Sequence, residues 1–403
     1  MKILFADSVD ESRLDTLTAA GHTCLVESSL TEATLPDALA GVDVLVVRST
    51  RVSAEAIAAS DKLALIVRAG AGTDNIDKAA ASGAGIYVCN VPGRNAVAVA
   101  ELTLGLLLAI DRRIADNTAD LRAGVWNKGI YSVADGLQGK HFGIIGLGDI
   151  GLAVAERAKA FGMTVSAVRK DGRSPSVQAR IRSIGIRLLD TQEQLLAESD
   201  IVSIHVPKSP DTAGLVDDTF LAQMQDGAIL LNTSRGEVVD EAALLAALDN
   251  RGIRAGLDVY NNEPAGKSGE WISALAQHPS VVGTHHIGAS TDQAQEAVAD
   301  GTVETIQAYA AGNIANCVNM LTVPTGPVTL SIRHRDQVGV LAMIFQAIRS
   351  KGINVQQMSN QVFAGGGAAV ATMTLAADPS DALIDELNQI EAIIAVTKSP
   401  AGS

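Results

Sequence analysis

The run Phe142-Gly143-Ile144-Ile145-Gly146-Leu147-Gly148-Asp149-Ile150-Gly151 decides the fold. Its first four residues read as a short buried strand, introduced by Gly139-Lys140. From Leu152 to Phe161, Leu152, Ala155, Ala158 and Phe161 recur at helical spacing, with Glu156, Arg157 and Lys159 on the other face. Strand, glycine turn and helix in that order are the setting in which Gly-x-Gly-x-x-Gly binds a dinucleotide. Gly146 permits the tight turn, Gly148 lets the backbone approach a pyrophosphate, and Gly151 lets the helix lie close to the strand. The helix N-terminus offers free amides to the phosphate charge.

The next strand, Met163 to Val168, should end on an acid that holds the adenosine ribose. It ends instead at Arg169-Lys170, with Asp171 two residues on. A guanidinium there suits a 2′-phosphate. Alternatively Arg169 is a solvated loop residue and Asp171 serves the ribose. NAD(H) is the expected cofactor, with NADP(H) open because of Arg169.

A chain of 403 residues suggests two or three domains. Aromatic content of 3% against 47% hydrophobic residues points to cores of Ala, Val, Leu and Ile, as in parallel α/β sheets. A net charge of −14 speaks against a nucleic-acid or anionic-membrane surface, so an anionic ligand must be met by local arginines. Cys24, Cys89 and Cys317 are widely spaced, which fits a reducing compartment with neither a disulfide framework nor a zinc site. No apolar run is long enough to span a bilayer. A soluble, cytoplasmic protein without a metal is expected.

Residues 1 to about 95 alternate strand and helix patterns: Ile3-Leu4-Phe5, a helix from Ser8 to Ala20, Val42–Val47, a helix capped by Ser53, Leu65-Ile66-Val67 and Ile86–Cys89. Two of these strands lead into arginines, Arg48 with Arg51 three on, and Arg68. After Arg68 comes Ala69-Gly70-Ala71-Gly72-Thr73-Asp74-Asn75, whose amides can hold a carboxylate or phosphate. Ligands of open α/β sheets sit beyond the carboxyl ends of strands, so these groups read as an anion site.

Residues 97 to about 120 read as one long Ala/Leu helix. Beyond it the buried strands 201–205, 228–231, 255–259 and 281–284 each deliver a polar loop. The loops carry Val206-Pro207, Thr233-Ser234-Arg235, Glu263 and His286. Beside a dinucleotide, such residues make a hydride-transfer centre. Arg235 would hold a substrate carboxylate, His286 would exchange the alcohol proton, and Glu263 would orient the imidazole and favour its protonated form.

Four motifs in order, Gly-Leu-Gly-Asp-Ile-Gly, Asn-Thr-Ser-Arg-Gly-Glu-Val-Val-Asp, Asp-Val-Tyr-Asn-Asn-Glu-Pro and His-Ile-Gly-Ala-Ser-Thr, resemble the D-isomer-specific 2-hydroxyacid dehydrogenases over nearly the whole chain. The resemblance implies an α/β protein. A Rossmann-type dinucleotide-binding domain would span residues 97–286, and a discontinuous flavodoxin-like substrate domain 1–96 and 287–317. It implies Arg235, Glu263 and His286 as the catalytic set and Asp258 against the nicotinamide carboxamide. Asp149, Ile150, Thr233 and Gly288 would line the cofactor, with Val206, Pro207 and Ser234 beside them. A homodimer or homotetramer acting on a small anionic 2-hydroxy or 2-keto acid follows from it.

Arg-Ser-Thr-Arg at 48–51 and the stretch 68–77 resemble the phosphoglycerate-oxidising members, in which such arginines face the substrate phosphate. Arg48, Arg51, Arg68, Gly70 and Ala71 would then meet the substrate. Lys128, two after Trp126, matches a position that in relatives reaches a neighbouring subunit's site. The implied reaction passes a hydride between 3-phosphoglycerate or 3-phosphohydroxypyruvate and the nicotinamide cofactor, opening the phosphorylated route to L-serine. Two departures stand out: Arg169 replaces the usual ribose Asp, and His285 replaces the Pro before the catalytic His. They keep open an NADP(H)-dependent hydroxypyruvate or glyoxylate reductase. A non-catalytic, NAD(H)-sensing corepressor shares the fold.

Residues 318–327, with Thr322, Pro324, Gly326 and Pro327, read as a linker. Residues 326–403 follow a β-α-β-β-α-β order, including a helix capped by Asp378 with Pro379 at its first position. This part resembles the ACT domains, small ferredoxin-like α+β modules that bind amino acids between paired copies. The resemblance implies His334, Asp336 and Asn354 around an effector such as serine; a domain that only dimerises is the alternative.

Overall fold

The computed structural model describes residues 1–8, 11–264, 268–321 and 325–401. The chain divides into two compact units, Met1–Asn319 and Met320–Ser403. The first unit holds two parallel sheets. One contains β1 (Lys2–Phe5), β2 (Thr23–Val26), β3 (Val44–Val47), β4 (Leu65–Arg68) and β5 (Tyr87–Asn90), in the order β2-β1-β3-β4-β5. The other contains β6 (His141–Ile145), β7 (Thr164–Val168), β8 (Arg187–Leu189), β9 (Ile201–Ile204), β10 (Ile229–Asn232), β11 (Arg254–Leu257) and β12 (Val281–Gly283), in the order β12-β11-β10-β9-β6-β7-β8. Central strands such as β3 and β10 are buried at every residue, which is why they are apolar without alternation.

Strand order reverses between β1 and β3 in the first sheet and between β6 and β9 in the second. At such a point the loops leave in opposite directions and open a crevice at the carboxyl ends of the strands. The residues that follow are Asp7 and Arg48 in one sheet, Gly146 and His205 in the other.

The expected continuous helix over 97–120 is two helices, Ala96–Asp111 and Ile114–Arg122. Arg113 between them takes a left-handed φ of 50°. The first helix buries Leu104, Leu107 and Ile110 against Phe142 and Ile144 of the second sheet, whereas the second buries nothing. The axis breaks where the apolar sequence ends. The helix Asp292–Ala310 packs Val303 and Ile306 against Ile3, Phe5 and Val44 of the first sheet. Ser53 Oγ accepts the Ala56 amide at 3.3 Å and caps its helix. The first helix begins by Glu11 rather than Ser8; positions 9 and 10 lie outside the described residues. Among the described residues no helix is long and apolar enough to cross a membrane, and no cluster of His, Cys, Asp or Glu could hold a metal ion.

The second unit is an antiparallel sheet of β13 (Val328–Arg335), β14 (Val355–Val362), β15 (Ala368–Leu375) and β16 (Ile393–Pro400), in the order β14-β15-β13-β16. The helices Val340–Ser350 and Asp381–Asn388 bury Ile344, Ile348, Leu383 and Leu387 against Leu330, Ile332 and Met373. Asp378 does not cap the second of these. That helix starts after Ser380, and Asp378 pairs with Lys398 of β16 instead. Gly326 fits where a Cβ would meet the Leu375 carbonyl at 2.0 Å, so it belongs to this unit's packing rather than to a free linker. Thr322 and Pro324 lie outside the described residues.

Candidate functional site

The carboxyl ends of both sheets in the first unit face one cleft of about 1190 Å³. On the side of the second sheet, Gly146 follows β6 with φ 99°, and a Cβ there would lie 2.4 Å from the His205 carbonyl. A Cβ on Gly151 would lie 2.1 Å from the Gly146 carbonyl, so the helix Asp149–Ala160 comes this close only with glycine. Gly148, at the N-cap of that helix, has open space where a side chain would be. Gly148, Asp149 and Ile150 line the cleft, as do Val206, Pro207, Thr233, Ser234, Asp258 and Gly288. A bare backbone at the N-terminus of a twelve-residue helix, open to the cleft, fits a pyrophosphate.

His205 is a cleft residue that the sequence reading left in its strand. Its Nε2 meets Ser203 Oγ at 2.8 Å, and its buried Nδ1 has no partner among the described residues. Burial pushes its pKa down to about 3, so the ring is neutral at physiological pH.

The reacting side is built from three loops. Asn232 ends β10 and locks the turn after it: its Oδ1 accepts the Ser234 amide at 3.0 Å and hydroxyl at 2.7 Å, and its Nδ2 donates to the Arg235 carbonyl at 2.9 Å. Thr233 shares a hydrogen bond of 2.9 Å with Thr103. Arg235 is thereby held in the cleft, where its Nε donates to Asp74 Oδ2 at 2.8 Å and its Nη1 to the Ser234 carbonyl at 2.7 Å. A Cβ on Gly72 would lie 1.9 Å from Arg235 Nη2, so that glycine makes room for the guanidinium.

Asp258 follows β11 and is 1% exposed. Its Oδ1 accepts the Thr284 hydroxyl at 2.6 Å and the Ile287 amide at 2.8 Å, and its Oδ2 accepts the Gly288 amide at 2.8 Å. Both oxygens are thus engaged in fastening the loop that carries His286, beyond any contact with a nicotinamide. His286 itself has φ 53°, an unfavourable region for a side-chain-bearing residue, held by this clamp. Its Nδ1–H donates to Glu263 Oε2 at 2.7 Å, leaving Nε2 for the cleft, while Glu263 Oε1 accepts the Tyr260 amide at 2.8 Å. The bond to Glu263 raises the His286 pKa above its ordinary value, against the opposing effect of burial. Burial works to raise Glu263, yet the bonds from His286 and Tyr260 leave it lowered.

On the side of the first sheet, Arg68 ends β4 in the cleft. Among the described residues it donates only a long 3.4 Å bond from Nη1 to the Ala69 carbonyl, and its buried Nε has no partner. Burial first, then the charges of Arg235 and Arg48, lower its pKa to about 10. Gly70 has φ 140°, and a Cβ there would lie 1.6 Å from Arg68 Nη1. Gly70 and Ala71 line the cleft. Arg48 reaches it after β3 and donates to Gln295 Oε1 at 3.2 Å. Asp7 forms no ion pair with these cations, its oxygens accepting the amides of Arg48, Ser49 and Thr50 and the Ser49 hydroxyl, but its charge and that of Asp74 work against the lowering of the Arg68 pKa.

Other residues singled out in the sequence stand elsewhere. Arg51 is turned out of the cleft and pairs with Glu32 at 3.3 Å, because the chain bends after Arg48. Lys128 is exposed on the short helix Lys128–Tyr131, away from this chain's cleft. Arg169 follows β7 and pairs with Asp190 at 3.3 Å; Arg173, which the sequence reading passed over, folds back to donate to the Val168 carbonyl at 3.2 Å. Asp171 is exposed. In the second unit, His334 is buried, with Nδ1 donating to the Arg335 carbonyl at 2.8 Å and Nε2 3.0 Å from Asn360 Oδ1. Asp336 follows at the same end of the sheet. Asn354 precedes β14, and β14 runs so that Val362, not Val355, comes level with His334. One copy therefore does not bring Asn354 to His334 and Asp336; the effector set expected from sequence is split between opposite ends of the sheet.

Residues 104–288 match the NAD binding domain of the D-isomer specific 2-hydroxyacid dehydrogenases. The chain is 39% identical over 328 residues to the D-3-phosphoglycerate dehydrogenase of Methanocaldococcus jannaschii, covering 80% of this chain and 60% of that one. It is 43% identical to the hydroxypyruvate reductase of Thermotoga maritima, over 66% of this chain and 84% of that one. The crystal structure of the TT0316 protein from Thermus thermophilus superposes with a TM-score of 0.67 at 34% identity, covering 79% of this chain and all of that one. The chain spans only 52% to 60% of the length of the first D-3-phosphoglycerate dehydrogenases it matches.

Proposed function

From its membership in the D-isomer specific 2-hydroxyacid dehydrogenases, the family to which this chain belongs, we propose that it interconverts 3-phosphoglycerate and 3-phosphohydroxypyruvate with NAD(H). On this reading it performs the first step of the phosphorylated route to L-serine. The observation that carries the substrate is Arg68. A guanidinium whose buried Nε has no partner among the described residues is costly to keep, and a substrate phosphate would supply an acceptor for its charge. Arg48 stands beside it to share the same group.

The bound nicotinamide supplies a hydride acceptor in oxidation and a donor in reduction. The chain's residues do the rest. Arg235 and the amides of the 70–72 loop bind and orient the substrate carboxylate. His286 Nε2 takes the hydroxyl proton in oxidation and returns it to the carbonyl oxygen in reduction. Glu263 holds the imidazole through Nδ1 and stabilises the imidazolium as it forms. Asp258 positions His286 through the 284–288 loop. His205 contributes a neutral ring to the wall of the cleft.

Arg169, Lys170 and Arg173 gather positive charge after β7, which supports use of NADP(H) as well. The second unit serves as an amino-acid-responsive or dimerising module; a site using His334 and Asn354 together would have to draw them from two copies. The high coverage of the Thermotoga maritima reductase favours a second reading, reduction of unphosphorylated hydroxypyruvate. Steady-state reduction of 3-phosphohydroxypyruvate and of hydroxypyruvate, each with both cofactors, decides between them. A hydroxypyruvate rate constant kcat/KM exceeding that for 3-phosphohydroxypyruvate would reject the first reading.

A further inference from the structure

We propose that Cys89 and Cys317 form a reversible intramolecular disulfide, making this pair a redox modification site outside the reacting groups. β5 is the last strand of its sheet, so one of its edges is open. The segment around Cys317 lies antiparallel on that edge. The Asn90 amide donates to the Asn316 carbonyl at 3.2 Å and the Val318 amide to the Val88 carbonyl at 2.8 Å, which sets Cys89 opposite Cys317. The two hydrogen bonds flank the cysteines and do not join them. Such non-hydrogen-bonded pairs bring facing Cα atoms to about 4.5 Å. Disulfides span Cα separations of about 4.4–6.8 Å, so the backbone is already placed for one.

The surroundings hold this register. Asn319 Oδ1 accepts the Val88 amide at 2.8 Å, and its Nδ2 donates to the Ile86 carbonyl at 2.9 Å, extending the pairing with a side chain. Cys317 Sγ–H donates to the same Oδ1 at 3.2 Å. A slip of the segment would break all of these bonds together.

The thiols differ in access. Cys317 is partly exposed, whereas Cys89 is buried and its pKa is pushed up to about 12 by burial and the neighbouring thiol. Cys317 is therefore the sulfur that meets an oxidant. Its thiolate attacks a low-molecular-weight disulfide, expelling one thiol and leaving a mixed disulfide. Cys89 then loses its proton and attacks the Cys317 sulfur, expelling the second thiol. In sum the protein gives up two electrons and two protons, and the external disulfide becomes two thiols. The second step is slow at neutral pH and quickens as pH rises, because the Cys89 thiolate is scarce.

The bridge would fasten the segment around Cys317 covalently to the edge of β5 and close a covalent ring from 89 to 317. Asn90, next to Cys89, donates to the Ala71 carbonyl at 2.6 Å, so the stapled strand supports the amide loop of the cleft.

The test treats the full chain with excess glutathione disulfide, alkylates the remaining thiols with iodoacetamide and maps peptides by mass spectrometry without reduction. The expected product links the Cys89 and Cys317 peptides, leaves Cys24 outside the link, and reverts to three alkylated cysteines after dithiothreitol. Cys24→Ser keeps the link and Cys317→Ser loses it. The oxidised wild type melts at a higher temperature than the reduced one, and oxidised Cys317→Ser does not. Three alkylated thiols after oxidation, or a lasting glutathione adduct on Cys317 with Cys89 still free, would overturn the proposal. The wild-type map needs no variant, so a misfolded substitution cannot obscure the result.

Discussion

Glu263 and His286 share a hydrogen bond of 2.7 Å from Nδ1–H to Oε2, and the second oxygen of Glu263 is held by the Tyr260 amide. The bond raises the imidazole above its ordinary 6.5 and, with the Tyr260 amide, lowers the carboxylate below 4.5 despite burial. Reduction needs the imidazolium, so its rate holds up to the raised value and falls beyond it. Oxidation needs the neutral ring and rises through the same value. Glu263→Gln should move both limbs to lower pH, read from kcat/KM profiles in the two directions. The stability linkage has matching signs. The His286 share is full below 6.5 and lost as pH rises through the raised folded value, while the Glu263 share is full above 4.5 and lost as pH falls through the lowered one. Profiles of Glu263→Gln that coincide with wild type would remove the pairing from the mechanism.

His286→Ala should cost about two to four decades of turnover, the usual size of a general acid–base contribution. Cofactor affinity, followed by fluorescence titration, should stay near wild type. Because residue 286 has φ 53°, His286→Asn is the better matched control: asparagine tolerates this backbone but cannot exchange the proton. Full activity in His286→Asn would relocate the proton transfer.

Arg68→Ala and Arg48→Ala should raise KM for the phosphorylated substrate by roughly tenfold or more and leave hydroxypyruvate nearly unaffected, since charge-assisted hydrogen bonds contribute about 1.5–3 kcal/mol each. Arg235→Ala should impair both substrates, which share the carboxylate it faces. Arg51→Ala should change neither, because Arg51 pairs with Glu32 outside the cleft. Equal losses for both substrates in Arg48→Ala and Arg68→Ala would favour the simple reductase.

Arg169 is tied to Asp190, so its availability to a 2′-phosphate depends on that acid. Asp190→Asn should shift the ratio of kcat/KM toward NADP(H), and Arg169→Asp should shift it toward NAD(H). Both side chains are well exposed, so the Asp190 effect should be a few-fold. An unchanged cofactor ratio in Arg169→Asp would assign the ribose to Asp171.

What could be read in the sequence follows burial. β3 and β10 are covered on both faces and appear as unbroken apolar runs. β2 and β8 lie at sheet edges, keep exposed polar positions and were not legible as strands. Arg235 and Glu263 stand out because each follows a buried strand in a polar loop; His286 follows an apolar run too, although β12 at the sheet edge is only partly covered rather than buried as expected. Asp74 and His205 do not stand out, since the work of the first is defined by a partner far away in sequence and that of the second by an orphaned ring nitrogen; Asn232 acts on Ser234 and Arg235 close by, but only through a turn geometry that its residue type does not announce. Arg51 looks equivalent to Arg48 until the chain direction after β3 is known. The same holds for Asn354, whose distance from His334 depends on which way β14 runs.

Asp74 comes from the loop after β4, yet its carboxylate grips Arg235 on the opposite wall of the cleft. A substrate carboxylate therefore enters by exchange: one anion leaves the guanidinium as another arrives. The affinity that a titration reports is the difference between an internal ligand and an external one, and salt weakens both partnerships alike. Binding of the carboxylate should thus vary little with ionic strength, whereas capture of a phosphate at Arg68, which is in no ion pair with an acid among the described residues, should fall as salt rises. Measuring both dependences on one sample separates replacement from capture within a single cleft.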